Sequence, residues 1–350
     1  MSIRELSHVL RDALREVRKS VRRSLRVDRA IAAVLRWPVV ILIGAIRHAP
    51  TRSRMRILRH GIRSLAAASR RKAVELCEIS SLAEFESGYA HLAEILGHAG
   101  KTPAPGEVEF LASIAKRRKY YPGAIAPDDH LFLTAFVSVL APRRVVEIGT
   151  LGGFSAGIIA ATLARRHRTA GASWVDTIDI HAQCAADRTR PTGFEIAELF
   201  PELVSMIRLH APADSSVVSQ LAGRDELELA FIDADHRHPL PLLDLLRLAP
   251  CVRGDSWILL HDIQWGTIVR KAAEAGQTLH WGSSYGAEWL FDRWPFQKIS
   301  GGNIGAVQLP EQKSALIPLT LRLMSTQFEI SDKHARSARR ALYEGLGGLL

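Results

Sequence analysis

The chain reads as an α/β fold with a doubly wound, mostly parallel sheet, and three observations predict it. A β-branched run, Arg144-Val145-Val146-Glu147-Ile148, ends in a glycine turn, Gly149-Thr150-Leu151-Gly152-Gly153, and enters a small-residue stretch from Phe154 to Ala164. Strand, tight loop and helix N-terminus in that order let bare backbone approach a ligand. Apolar runs at 174–180, 227–235 and 256–263 each end in acidic or imidazole residues. Leucines at helical spacing, Leu240 to Leu248, separate the last two runs. Strand, helix and strand give parallel strands whose carboxyl ends lie side by side, and open α/β sheets bind ligands along that edge.

Taken in order, the chain begins with an unusual segment. Residues 1–72 hold 19 Lys or Arg against 4 Asp or Glu, a net of +15, while the whole chain is +10; residues 73–350 therefore carry 10 − 15 = −5. Ile3, Leu6, Leu10, Leu14, Val17, Val21 and Leu25 step by three or four, so a basic amphipathic helix is expected up to Arg36, before Pro38. Val39 to Ile46 is apolar, but it is too short for a bilayer that needs about twenty residues. No small-residue cleavage site follows, so a secretory signal is not expected. Three occupants suit the segment: an anionic membrane surface touched through residues 1–46, the rest of this chain or a second copy in a homo-oligomer, and nucleic acid. Its one aromatic residue, Trp37, leaves almost no stacking platform, so nucleic acid is the poorest fit.

Residues 76–118 read as helical and polar, and Tyr120 to Asp129 leads into an apolar helix from His130 to Leu140. The glycine turn follows, then Trp174-Val175-Asp176-Thr177-Ile178-Asp179-Ile180, a strand closing on an acid; a carboxylate there suits the two hydroxyls of a ribose, which makes Asp179 the ribose candidate. Asp233, Asp235, His236, His261 and Asp262 occupy the next two strand tips and are expected to converge near Gly149 and Asp179. Blander roles stand beside these: Asp235 as a helix cap, His238 as a solvated helix-start residue, His261 as a packed group orienting Asp262. Downstream, Trp265, Trp281, Tyr285, Trp289, Phe291, Trp294 and Phe296 offer either core packing or an aromatic wall for an acceptor. A helix is expected over Ser331 to Leu346. The organisation expected is an extension (1–75), a helical linker or cap (76–118), the sheet domain (119–310) and a helical tail (311–350).

At 47% hydrophobic and 23% charged residues, the composition is that of an ordinary globular protein. Cys77, Cys184 and Cys251 have neither zinc spacing nor a disulfide framework, so a reducing, cytoplasmic setting is expected, peripheral to a membrane if residues 1–46 bind one.

Glu147-x-Gly149 with Gly153-Phe154-Ser155 resembles the first cofactor loop of class I S-adenosylmethionine methyltransferases, nearest the O-methyltransferases of catechol and caffeoyl-CoA type. The G-x-G-x-x-G of dinucleotide-binding dehydrogenases is absent. Over residues 119–309 the resemblance implies a Rossmann-like sheet of seven strands and S-adenosylmethionine held by Glu147, Gly149, Thr150, Gly153, Ser155, Asp179 and Asp233, with Ile125 closing over it. It also implies magnesium or another divalent cation on Asp233 and Asp262. The asparagine that follows the second aspartate in the catechol type is Ile263 here, and His261 precedes Asp262. Phe231 to His236 together with Leu259 to Ile263 is more similar to macrocin-type sugar O-methyltransferases and cephalosporin-hydroxylase-like proteins. There an acid before the final aspartate completes the metal site, and a histidine after the fourth strand is the base. This implies His261 as third ligand and His236, with Asp233, as the catalytic pair.

The implied activity is methyl transfer to a hydroxyl of a small-molecule or glycosylated acceptor. Its rivals are a nucleic-acid methyltransferase, disfavoured because Asp233-Ala234-Asp235-His236 stands where base methyltransferases carry Asn/Asp-Pro-Pro-Tyr, a lipid or cell-envelope methyltransferase, and a hydroxylating or non-catalytic relative.

Overall fold

Alternation between two apolar faces organises the molecule. The computed structural model describes residues 73–117, 123–167, 174–279 and 284–349. A two-residue strand, β1 (Glu75–Leu76), precedes helices α1 (Phe85–Ile95), α2 (Glu107–Arg117) and α3 (Asp129–Leu140). Next come β2 (Arg144–Ile148), α4 (Phe154–His167), β3 (Trp174–Ile178), α5 (Phe194–Leu199), β4 (Ile207–His210) and the one-turn α6 (Val218–Leu221). β5 (Leu227–Ile232), α7 (Leu240–Leu248), β6 (Val252–Leu260), α8 (Trp265–Glu274) and α9 (Gly286–Asp292) follow. The hairpin β7 (Lys298–Gly301) and β8 (Ile304–Gln308) leads to α10 (Ile317–Met324) and α11 (Asp332–Gly348).

The sheet runs β1-β7-β8-β6-β5-β2-β3-β4, and β8 alone is antiparallel to its neighbours. The sequence led us to expect seven strands; the structure adds β1 as an eighth, at the edge beside β7. Two residues are too few to show a period, so this strand leaves no pattern to read.

Along β5, Leu229 and Phe231 enter one core while Ala230 and Ile232 enter the other; along β6, Trp257 and Leu259 alternate in the same way with Ile258 and Leu260. Side chains two apart share a face, so these continuous apolar runs bury both surfaces of the sheet. One core packs against α1 to α4, the other against α7, α9, α10 and α11.

The segments that the sequence set apart as linker and tail belong to these same cores. Phe85, Tyr89, Leu92, Leu111 and Ile114 are buried with α3. Buried Glu107 accepts hydrogen bonds from Ala104 N (2.6 Å) and Ser138 Oγ (2.9 Å), which ties α2 to α3. Leu342 and Leu346 of α11 are fully buried in the α7 core. The expectations for residues 1–46 fall outside the described residues. Among the described residues, no helix is long and apolar enough to cross a membrane.

Candidate active site

The chain proceeds from β2 to β3 and β4 on one side, then returns to β5 and β6 on the other. That reversal opens a crevice between the carboxyl ends of β2 and β5, where ligands of doubly wound sheets bind. The strand tips are stitched in a row. Gly149 N donates to Ile178 O (2.8 Å), Asp233 N to Ile148 O (2.8 Å), and His261 N to Ile232 O (3.0 Å). Gly149 takes φ +102°, and a Cβ there would lie 1.9 Å from the Asp233 carbonyl oxygen. Only glycine allows this approach.

Asp179 stands at the tip of β3 and organises the glycine loop. Its Oδ2 accepts from Thr150 N (3.1 Å) and Leu151 N (2.9 Å), and its Oδ1 from His181 N (2.9 Å). Thr150 Oγ1 and Thr177 Oγ1 are 2.6 Å apart, and Thr177 donates to Glu147 Oε2 at 2.5 Å. Burial pushes the Glu147 carboxyl up to about 8, with Ser155 and Thr177 opposing by hydrogen bonding. Its Oε1 finds no partner among the described residues. Gly153 takes φ +92°, and its N–H is used by Thr150 O (2.7 Å).

Beyond the loop, Asp233, His236, His261 and Asp262 form one cluster. His261 Nδ1 lies 2.8 Å from Asp233 Oδ1 and 3.6 Å from Asp262 Oδ1. His236 Nε2 lies 3.5 Å from Asp233 Oδ1 and 3.2 Å from Asp262 Oδ2. On its far side, His261 Nε2 meets Asp129 Oδ2 at 3.1 Å, and Asn303 Nδ2 donates to Asp262 Oδ1 at 2.6 Å. Asp262 takes φ +58°, the left-handed region, where a non-glycine residue is held only by its surroundings. Burial pulls His261 down, but Asp233, Asp262 and Asp129 outweigh it and hold the imidazole well above its ordinary value. Burial likewise opposes the Asp233 carboxylate, and His261 and His236 overcome it to hold Asp233 low.

Residues 146–263, the stretch from β2 through the last of these groups, match the family model described as a methyltransferase domain. This match spans about a third of the chain. No curated protein matches the chain. Among solved structures it is similar to an O-methyltransferase from Bacillus cereus in complex with S-adenosylhomocysteine: 18% identity, 65% of this chain and 100% of that one, TM-score 0.38. It is similar to TomG from Streptomyces achromogenes, an O-methyltransferase in complex with S-adenosylmethionine: 14% identity, 66% and 100%, TM-score 0.39. A third likeness is to the S-adenosylhomocysteine-bound methyltransferase PaMTH1 from Podospora anserina: 16% identity, 47% of this chain and 65% of that one, TM-score 0.34.

Within the matched stretch, the structure brings together Gly149, Thr150 and Asp179 on one side and Asp233, His236, His261 and Asp262 on the other. Ser155 is buried at the start of α4, and Ile125 is buried in the core that holds Phe132 and Phe154. Two sequence readings need correction. Asp235 caps no helix: it ion-pairs with Arg237 and accepts Arg237 N at 3.0 Å, and α7 starts only after Pro239. His238 is not solvated. It is buried against Trp289 and Phe328, both at 5.3 Å between ring centroids, because Glu329 draws the C-terminal segment over it through His238 N (2.6 Å).

Asp129 and Asn303 went unrecognised in the sequence as members of the site. One opens a helix and the other sits in a hairpin turn; the acid before an apolar helix and the Gly-Gly-Asn turn are the only traces, and neither names its partner. The aromatic region divides. Trp294 and Phe291 are core residues, and Tyr285 stacks on Trp289 at 5.5 Å, both half-buried. Trp281 lies outside the described residues.

Proposed function

We propose that this protein transfers the methyl group of S-adenosylmethionine to a hydroxyl of a small-molecule or glycosylated acceptor, with a divalent cation held by Asp233, Asp262 and His261. The observation that carries this is the double role of Asp233. Its backbone closes on Gly149 of the glycine loop, and its carboxylate belongs to the Asp–His cluster. Cofactor loop and acid–base cluster therefore share a residue, which sets them side by side, as an in-line transfer to an activated oxygen needs.

The residues present fit both groups. Asp179 keeps lone pairs for ribose hydroxyls on a carboxylate already oriented by three N–H donors, and Glu147 Oε1 is a buried acceptor without a partner beside the loop. Two carboxylates and a buried imidazole nitrogen face one another in the cluster. When bound, the cofactor supplies the electrophilic methyl and the cation lowers the hydroxyl's pKa. Asp179 orients the loop and would grip the ribose; Glu147 would face the amino-acid end; Asp129 and Asn303 hold His261 and Asp262 in place. The proton that the acceptor hydroxyl loses would pass to His236, the base candidate of the sequence reading, or to solvent.

Calorimetric titration with S-adenosylhomocysteine tests the reading. Micromolar binding by the wild type, lost in Asp179→Ala, is expected, followed by product formation in a hydroxyl-acceptor screen with and without divalent cation. Absence of binding by folded wild-type protein sinks it.

A further inference from the structure

We infer that the cluster is a transition-metal site in which His236 and His261 both ligate beside Asp233 and Asp262, and that it takes ions of the manganese-to-zinc series in preference to magnesium. This rests on the proposed function for the location of the site, but the ion preference comes from the donors themselves.

The first argument is donor chemistry. Magnesium demands oxygen ligands in near-ideal octahedral geometry and gives up its waters reluctantly, whereas imidazole nitrogen suits manganese, iron, cobalt and zinc. Two of the four converging side chains are imidazoles. Where the resemblance expects an acidic residue before the final aspartate, this chain has His261, which exchanges an oxygen donor for nitrogen.

The second is orientation. Asp129 is buried, and its Oδ2 is 3.1 Å from His261 Nε2. A carboxylate on one ring nitrogen places the proton there and aims the other nitrogen's lone pair at the opposite side, as the outer partners of metal-bound histidines do. The other nitrogen, Nδ1, is buried and faces the carboxylates of Asp233 and Asp262 at 2.8 and 3.6 Å. An ion bound there displaces the proton that these carboxylates otherwise hold on the ring.

The third is spacing. Asp233 Oδ1 stands 2.8 Å from His261 Nδ1 and 3.5 Å from His236 Nε2, these three donors all lie within 4.8 Å of one another, and Asp262 flanks them with Oδ2 3.2 Å from His236 Nε2 and Oδ1 3.6 Å from His261 Nδ1. Donors about 2.0–2.2 Å from one ion stand roughly 3.0–3.6 Å from each other in octahedral or tetrahedral arrangement. Asp262 is kept in the left-handed region, with Oδ1 secured by Asn303 Nδ2 at 2.6 Å, the outer support that ligating carboxylates carry. Once His236 ligates, it no longer serves as the general base that the sequence suggested.

The test uses the full chain stripped of metal and titrated with cobalt(II), read by the visible d–d bands of the ion. One equivalent of cobalt is expected to bind, and magnesium in on the order of a thousandfold excess is expected not to displace it. His236→Gln should weaken cobalt binding at least ~10-fold and shift its bands. His236→Asp, which restores a donor but makes it oxygen, should bind cobalt and narrow the cobalt-over-magnesium preference by about tenfold or more. Displacement by magnesium at comparable concentration, unchanged cobalt binding and bands in His236→Gln, or folded wild-type protein that binds no ion each overturn the inference. S-adenosylhomocysteine calorimetry on the same preparations separates the two readings. Cofactor binding without metal binding overturns this inference alone; metal binding without cofactor binding overturns the methyltransferase proposal and leaves the metal site standing.

Discussion

Single residues carry most of the site's strain and charge. Gly149 is the sharpest case: alanine there would have to hold φ near +102° and put Cβ 1.9 Å from Asp233 O. Gly149→Ala should cost about 3 kcal/mol or more and abolish S-adenosylhomocysteine binding, read by thermal melts and calorimetry; a variant with near wild-type stability and affinity would mean that the loop relaxes freely. Glu147 offers a protonation test. Its carboxyl, raised from 4.5 to about 8 by burial, is protonated at pH 7. An ammonium group brought to Oε1 favours the carboxylate, so cofactor binding should release about one proton at pH 7. Calorimetry in buffers of different ionisation enthalpy reads that proton, and Glu147→Gln should release none. The same raised value stabilises the fold fully below about 4.5, and this contribution is lost as pH rises through about 8.

At the scale of elements, the start of α7 holds two buried titratable groups of opposite sense. Burial drives His238 from 6.5 to about 4, while Leu323 O, at 3.0 Å, hydrogen-bonds its ring. Burial drives Asp244 from 3.8 up to about 6, against a 2.5 Å hydrogen bond from Ser215 Oγ. The depressed histidine contributes stability that is present above about 6.5 and lost as pH falls through about 4; the raised aspartate contributes stability present below about 3.8 and lost as pH rises through about 6. Each spans roughly two units, about 3 kcal/mol at most, so across this window the two slopes oppose. Relative to wild type, Asp244→Asn should gain stability as pH rises from 4 to 6.5, and His238→Gln should gain it as pH falls over the same range. Thermal melts at stepped pH check this; parallel profiles for all three proteins would show that neither group titrates as its burial dictates.

The whole molecule depends on segments outside the methyltransferase match. Leu342 and Leu346 close the core beneath α7, and a Cβ on Gly345 would stand only 3.0 Å from Leu246 Cβ, so α11 sits tight on that helix. Leu342→Ala should cost about 2–5 kcal/mol in denaturant melts. Removing residues 311–350 should leave a chain that exposes the leucines of α7 and binds hydrophobic dyes; a soluble, cooperatively melting truncation would show that the tail is an appendage after all. On the opposite face, the buried Glu107 with Arg166 and Ser138 ties the 76–117 helices to α3 and α4 in the same way.

The local patterns of the chain determined the doubly wound sheet, the glycine loop and the strand tips that carry Asp179, Asp233, His261 and Asp262. A strand, a turn over glycine and a helix start are each set by residues within a few positions of one another, so they can be read in one dimension. The tertiary structure alone decided what those tips meet. Asp129 reaches His261 across 132 residues and Asn303 reaches Asp262 across 41, contacts that depend on how helix and hairpin register against the sheet. The same holds for His238, whose polar sequence context suggests water and whose real surroundings are Trp289 and Phe328. A side chain's face follows from its own strand or helix, but its partner follows from packing between elements, where a one-residue shift in register would bring another residue to the site.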